Sequence, residues 1–221
     1  MTTIMTPSVG SKTTTTGQID KAVANYRALL EKHAGEFDTE AVQTVLGQSE
    51  FAGEQLAIFR RRVEMISNMI IRRIRVNRSL TPQQALDATG RKQYTDRPRD
   101  VVNSMPHGEG DEAEVVFFKL DLSKRGGYIS DNDLEKEFEL RGLVSADPYS
   151  LAAVNRDDPA FADEKPNGTH WKDANGKWCF ALFYCWPDDG RYVYVHRHAH
   201  VWNGRWWFAG LRKSKSSGLG V

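Results

Sequence analysis

The chain has 221 residues, 40% hydrophobic and 27% charged, with a formal net charge of +1. That length suits one domain with an appendage or two small domains, and it can bury a core without disulfides. The near-neutral balance gives no bulk drive toward nucleic acid or an anionic membrane, and no run approaches the roughly 20 apolar residues of a membrane helix.

Residues 1–17 are rich in Thr, Ser and Gly, and this composition predicts a disordered tail without the apolar stretch of a signal peptide. Helical character starts near Gln18, where Ile19, Val23, Tyr26, Leu29 and Leu30 share a face. Asp38 is placed to cap a second helix that ends at Gly47. Ser49 is a candidate cap for a third, whose stripe is Leu56, Phe59, Val63, Ile66 and Ile70. The pattern changes near Met69. Ile70–Val76 is β-branched, and Thr81-Pro82 is a helix start with Pro at the first helical position. Residues 97–104 are weakly helical and 106–110 form a loop. Residues 113–120 (AEVVFFKL) predict a strand. Ser130 with Asp133 resembles a capping box, and Asp147-Pro148 opens another helix. The boundaries drawn are a tail over 1–17, a helical segment over 18–68, an α+β domain over 69–212 and a polar tail over 213–221.

The densest signal lies between Thr169 and Arg212, which hold all six tryptophans. Asp173-Ala174-Asn175-Gly176, Pro187-Asp188-Asp189-Gly190 and Asn203-Gly204 supply turns, with Asn-Gly the strongest short hairpin signal. The runs between them predict strands at 177–186, 191–200 and 205–211, paired in order as antiparallel neighbours. Trp178, Phe180, Leu182, Tyr184 and Trp186 alternate with Cys179, Ala181, Phe183 and Cys185. Both sides are apolar, as in a strand covered on both faces. In the next run Val193 and Val195 suit a core, while Tyr192, Tyr194, His196, His198 and His200 suit a wetter face. Cys179 and Cys185 stand about 20 Å apart at strand rise, too far to bond, which fits a reducing compartment. The expected location is cytoplasmic.

Several stretches carry a resemblance: TPQQALDATGRKQYTDR (81–97), MPHGEGDEAEVVFFKL (105–120), ISDNDLEKEFELRGL (129–143), ADPYSLAAVN (146–155), FADEKPNGTHWKDANGKWCFA (161–181) and WWFAG (206–210). In these the portion from about Arg72 to Lys213 resembles a family of uncharacterised bacterial proteins from uncultivated lineages. The resemblance covers about two-thirds of the chain and implies no activity, catalytic residue or cofactor.

Three constellations carry candidate chemistry. His196 and His198, about 7 Å apart on one strand face, have metal-ligand spacing, with His170 as a third candidate. Against this, no carboxylate lies at telling spacing, and surface histidines are the commoner reading of such a face. Tyr192 and Tyr194, with the tryptophans, could stack on bases, although most of the aromatic set suits a core. Arg60–Arg62, Arg72, Arg73, Arg75 and Arg78 could track phosphates, Arg73 and Arg75 from one strand face, although a solvated face is the commoner reading of such a stretch. No G-x-S-x-G, H-E-x-x-H, Walker A, dinucleotide-binding glycine pattern or C-x-x-C occurs. The expectation is an α+β fold: a mostly antiparallel, Trp-rich meander packed by short helices on one face, preceded by a helical segment. The expected function is non-catalytic binding or interaction without a cofactor, with an unknown protein partner or self-association through the N-terminal helices and no membrane. Nucleic-acid binding through the Arg-rich and aromatic surface is the first alternative, and a metal-dependent enzyme at the histidines the second.

Overall fold

The computed structural model describes residues 14–95, 100–186, 190–197 and 199–212. The chain divides into two compact units, Met1–Ser67 and Asn68–Val221. The tails expected over 1–17 and 213–221 lie largely outside the described residues, as does His198.

The first unit holds helices α1 (Thr16–His33), α2 (Thr39–Leu46) and α3 (Phe51–Ile66). Their starts follow local chemistry. Thr15 forms a capping box with Gln18, and Asp38 Oδ1 accepts from the Ala41 amide at 2.9 Å. Gly47 closes α2. Ser49 does not cap α3: its hydroxyl donates to the Glu50 carboxylate at 2.9 Å, and α3 starts without a side-chain cap. No described residue of this unit is buried.

The second unit carries β1 (Met69–Arg75), α4 (Pro82–Asp87), β2 (Lys92–Thr95), α5 (Asp100–Asn103), β3 (Glu112–Lys119), β4 (Tyr128–Ser130), α6 (Asp131–Leu140) and β5 (Leu143–Ser145). Then follow α7 (Pro148–Asp157), α8 (Phe161–Glu164), β6 (Asn167–Lys172), β7 (Trp178–Cys185), β8 (Arg191–His196), β9 (Val201–Asn203) and β10 (Trp207–Arg212). The main sheet runs β1-β3-β10-β6-β7-β8-β2, with β5 also paired to β10. It is mixed. Antiparallel pairs dominate, but β10 runs parallel to β6 and β2 parallel to β8.

The expected meander holds for β6, β7 and β8 and fails after them. The run 191–200 is not one strand: β8 stops at His196, and β9 leaves the sheet to pair with β4 in a separate ribbon. β10 therefore does not pair with β8. It inserts between β3 and β6, far from its neighbour in sequence. The Asn203-Gly204 turn does form, with the Trp206 amide donating to Asn203 O, but it joins strands of different sheets.

Helices cover both faces of the sheet, not one. β3 and β7 are apolar on both sides, so each face needs cover. On one face Phe117, Phe183, Val193 and Val195 pack with Leu86, Val101, Leu151 and Phe161, from α4, α5, α7 and α8. On the other, Phe118, Phe180, Leu182 and Phe208 pack under Leu134 and Phe138 of α6 and under Ile129 and Trp202 of the β4–β9 ribbon. The caps of α4, α6 and α7 are Thr81 (with Gln84), Ser130 and Asp147.

Two features lock the connections. Arg78 donates to the carbonyls of His107 and Gly110 and to both oxygens of Asp147, the cap of α7. Gly108 sits within this clamp at φ 68°, where a Cβ would meet both Asp147 and Arg78. Gly168 of β6 lies under Trp202: a Cβ there would fall 2.6 Å from Leu182 Cδ2 and 2.8 Å from Trp202 Cζ3. The ribbon therefore seats on the sheet only because residue 168 has no side chain. Gly168→Ala is expected to destabilise the second unit by about 1–3 kcal/mol. Urea unfolding read by tryptophan fluorescence measures this, since all six tryptophans lie in that unit; an unchanged midpoint would contradict the close seating.

Candidate functional site

The face formed by β7, β8 and β2 holds most of the residues with chemical potential. Register places Phe180 beside His196, Leu182 beside Tyr194, Tyr184 beside Tyr192, and Tyr94 of β2 beside Tyr194. The face is not uniformly wet. Tyr192 is 4% exposed, whereas Tyr194 and His196 are half-buried. His196 lies against Tyr194 (4.3 Å between centroids) and stacks on Phe180 (6.1 Å). Because β8 ends at His196, His200 does not continue its line. Its ring also reaches Phe180, at 4.6 Å, and meets Trp202 edge-on.

Beneath these rings is a buried carboxylate. Asp131 is the first residue of α6. Its Oδ1 accepts from Trp202 Nε1 at 2.8 Å and lies 2.8 Å from His170 Nδ1, and its Oδ2 accepts the His200 amide at 2.6 Å. Burial pushes the carboxyl up, but the hydrogen bonds from His170, Trp202 and the His200 amide outweigh it and hold Asp131 below the usual carboxylate range. An ionised carboxylate only accepts, so His170 Nδ1 carries the proton. Trp178 stacks on the His170 ring at 4.5 Å. His170 Nε2 is buried with no hydrogen-bond partner among the described residues. With His170 only 1% exposed, the pair pins segments together and is closed to a substrate.

His170 is thus committed to Asp131 and is not gathered with His196. Among the described residues no three His, Cys, Asp or Glu side chains cluster as metal ligands. Cys179 is buried, and burial raises its thiol, so it behaves as an inert core residue. Arg73 and Arg75 lie on β1, at the sheet edge, and register sets them opposite Glu114 and Glu112. Arg73 Nε is 3.0 Å from Glu114, which also takes Arg212 at 2.7 Å. The hydrogen bond from Arg212, with that from Arg73, holds Glu114 below the ordinary carboxylate range. Arg75 is 3.8 Å from Glu112. Charged pairs of this kind blunt an edge strand against further pairing. Arg78 is taken up by the clamp at Asp147.

The structure adds a group that sequence reasoning did not assemble. The rings of Tyr94, Tyr192, Tyr184 and Trp186 follow one another at 5.6, 5.8 and 5.6 Å. Arg205 lies over Trp206 (4.4 Å) and Tyr184 (6.0 Å), and Lys92 lies over Tyr192 (5.5 Å). The terminal rings stay half in solvent, Tyr94 at 53% and Trp186 at 50% exposure. Tyr94 escaped notice because β2 is four residues long and pairs parallel with a strand a hundred residues away. The short β-prone run between Gly90 and Pro98 was its only signal.

No family model matches the chain, and no curated protein or solved structure matches it significantly; the resemblance described above therefore rests on the quoted residues alone.

The Asp131 network makes a pH-dependent prediction. Asp131→Ala leaves three donors unanswered and is expected to cost about 2–4 kcal/mol at neutral pH. The native carboxyl titrates below its unfolded value, so its contribution is complete above about pH 4 and is lost as pH falls through the native value. The gap between wild type and variant should narrow in acid, in urea midpoints measured from pH 7 down to pH 3; a gap constant with pH would remove the ionic account.

Proposed function

We propose that the chain is a non-catalytic binding module whose first three helices join it to a second copy of itself. One observation carries the reading. Among the described side chains of residues 14–67 none is buried, yet Ile19, Val23, Tyr26, Leu30, Leu56, Phe59 and Val63 are 41–61% exposed. Helices of 18 and 16 residues are marginal alone in water and draw their stability from a covered apolar face.

The spacing favours a helical partner. Ile19, Val23, Tyr26 and Leu30 step by four, three and four, and Leu56, Phe59 and Val63 by three and four. This is the seam that inserts into the holes of a facing helix. The two helices are about 27 and 24 Å long, matched well enough for two copies to supply four helices of a bundle. Twelve large apolar side chains are exposed in this segment. Recovering roughly 60 Å² from each in two copies covers about 1,400 Å², within the range of a stable specific interface. The apolar groove between the end of α1 and α2, lined by Tyr26, Leu30, Phe37, Val42, Val45 and Phe51, extends the same surface.

Sedimentation equilibrium of the full chain should give twice the 25.0 kDa chain mass at micromolar concentration. Val23→Glu with Val63→Glu should shift it to the monomer, with the tryptophan-detected unfolding midpoint unchanged. A wild-type monomer across the whole range would sink the proposal.

A further inference from the structure

We propose that the ladder Tyr94–Tyr192–Tyr184–Trp186 is a binding platform for single-stranded nucleic acid, independent of how the first unit associates. The ladder crosses three adjacent strands, β2, β8 and β7, with ring-to-ring steps of 5.6, 5.8 and 5.6 Å. Its inner members are anchored. Tyr192 is 4% exposed, and its ring covers Gly190, where a Cβ would lie 2.4 Å from the tyrosine hydroxyl. Its outer members are open, Tyr94 at 53% and Trp186 at 50%. The inner rings thus hold two half-exposed aromatic side chains at the ends of one row, Trp186 edge-on to Tyr184, where a core would bury them.

Charge selects the ligand class. The strand segments Lys92–Thr95, Trp178–Cys185 and Arg191–His196 contain no carboxylate. Two cations border the row: Lys92 over Tyr192, and Arg205 over Tyr184 and Trp206. Arg205 takes no side-chain carboxylate within ion-pair distance among the described residues, unlike Arg73, Arg78 and Arg191. A ligand with flat π faces and a regular negative charge meets both halves of this surface. Bases stack on aromatic rings irrespective of sequence, and phosphates take the flanking cations. A duplex hides its base faces within its own stack, so the single strand is the form that fits. Sugar rings also stack on aromatic faces, but a neutral glycan makes no use of Lys92 and Arg205.

Fluorescence anisotropy of the full chain with labelled twelve-nucleotide oligo-dT and oligo-U, at 50 and 200 mM salt, tests the proposal. Expected are binding that quenches intrinsic tryptophan fluorescence, a log–log salt slope of about −1.4 for two phosphate contacts, and at least a tenfold loss in Tyr94→Ala/Trp186→Ala. Tyr94→Phe/Trp186→Phe keeps the ring faces and should retain binding. Lys92→Gln/Arg205→Gln should flatten the salt slope. All four residues are exposed, so an unfolding midpoint matching wild type accompanies a valid variant; if the alanine pair unfolds, the retention in the phenylalanine pair and the flattened slope in the glutamine pair decide. Absence of binding at 50 mM salt, equal affinity for a duplex of the same length, or indifference to the alanine pair would overturn it. So would salt-independent binding of a neutral oligosaccharide in place of the oligonucleotides.

Discussion

The carboxylate of Asp131 is the point on which the second unit turns. It begins α6, and from that position it gathers a ring nitrogen from β6, an indole from β9 and a backbone amide from the chain leading into β9. Each donor alone is an ordinary charge-assisted hydrogen bond. Together they hold the helix, the ribbon and the sheet to one side of the molecule. The aromatic cluster around Phe180 is assembled over this anchor: His196 approaches its ring from the end of β8, and His200 and Trp202 from the chain that leaves the main sheet. The ribbon needs the absence of a side chain at Gly168 as much as it needs the anion at Asp131. A polar constraint fixes direction, and a steric allowance permits contact.

What was legible in the sequence was local. Thr81-Pro82 with Gln84, Ser130 with Asp133, and Asp147-Pro148 mark helix starts because the side chain that satisfies the first free amides lies within three residues of them. The two-sided apolar character of β7 announced a covered strand because side-chain alternation is a property of the strand itself. The non-local pairings were hidden. Nothing in 191–203 shows that the run breaks at His196, since Val201 and Trp202 are as strand-prone as Val193 and Tyr194. β2, β4 and β5 are three or four residues long, too short for a period to be counted.

The site was less legible than the fold. The Asp131–His170 contact spans 39 residues, and each residue has a plain local reading, one as a first-turn acid and the other as a strand residue. The candidate pair Arg73 and Arg75 looked like a phosphate track because the facing carboxylates, Glu114 and Glu112, sit on a strand forty residues on. A charge is informative about function only once its cross-strand neighbour is known. The same holds for the tryptophans: Trp171, Trp202, Trp206 and Trp207 are buried, Trp178 is half-buried, and only Trp186 is strongly exposed.

The position of β10 has a consequence for how the molecule is made. It is the last of the described strands, yet it joins β3 on one edge to β6 and β5 on the other. Without residues 207–212, β1 with β3 and β6 with β7 and β8 are two part-sheets, each with an unpaired inner edge. Such edges recruit other chains. Completing the main sheet therefore depends on non-local pairing: one six-residue strand must enter between two others that lie far from it in the chain.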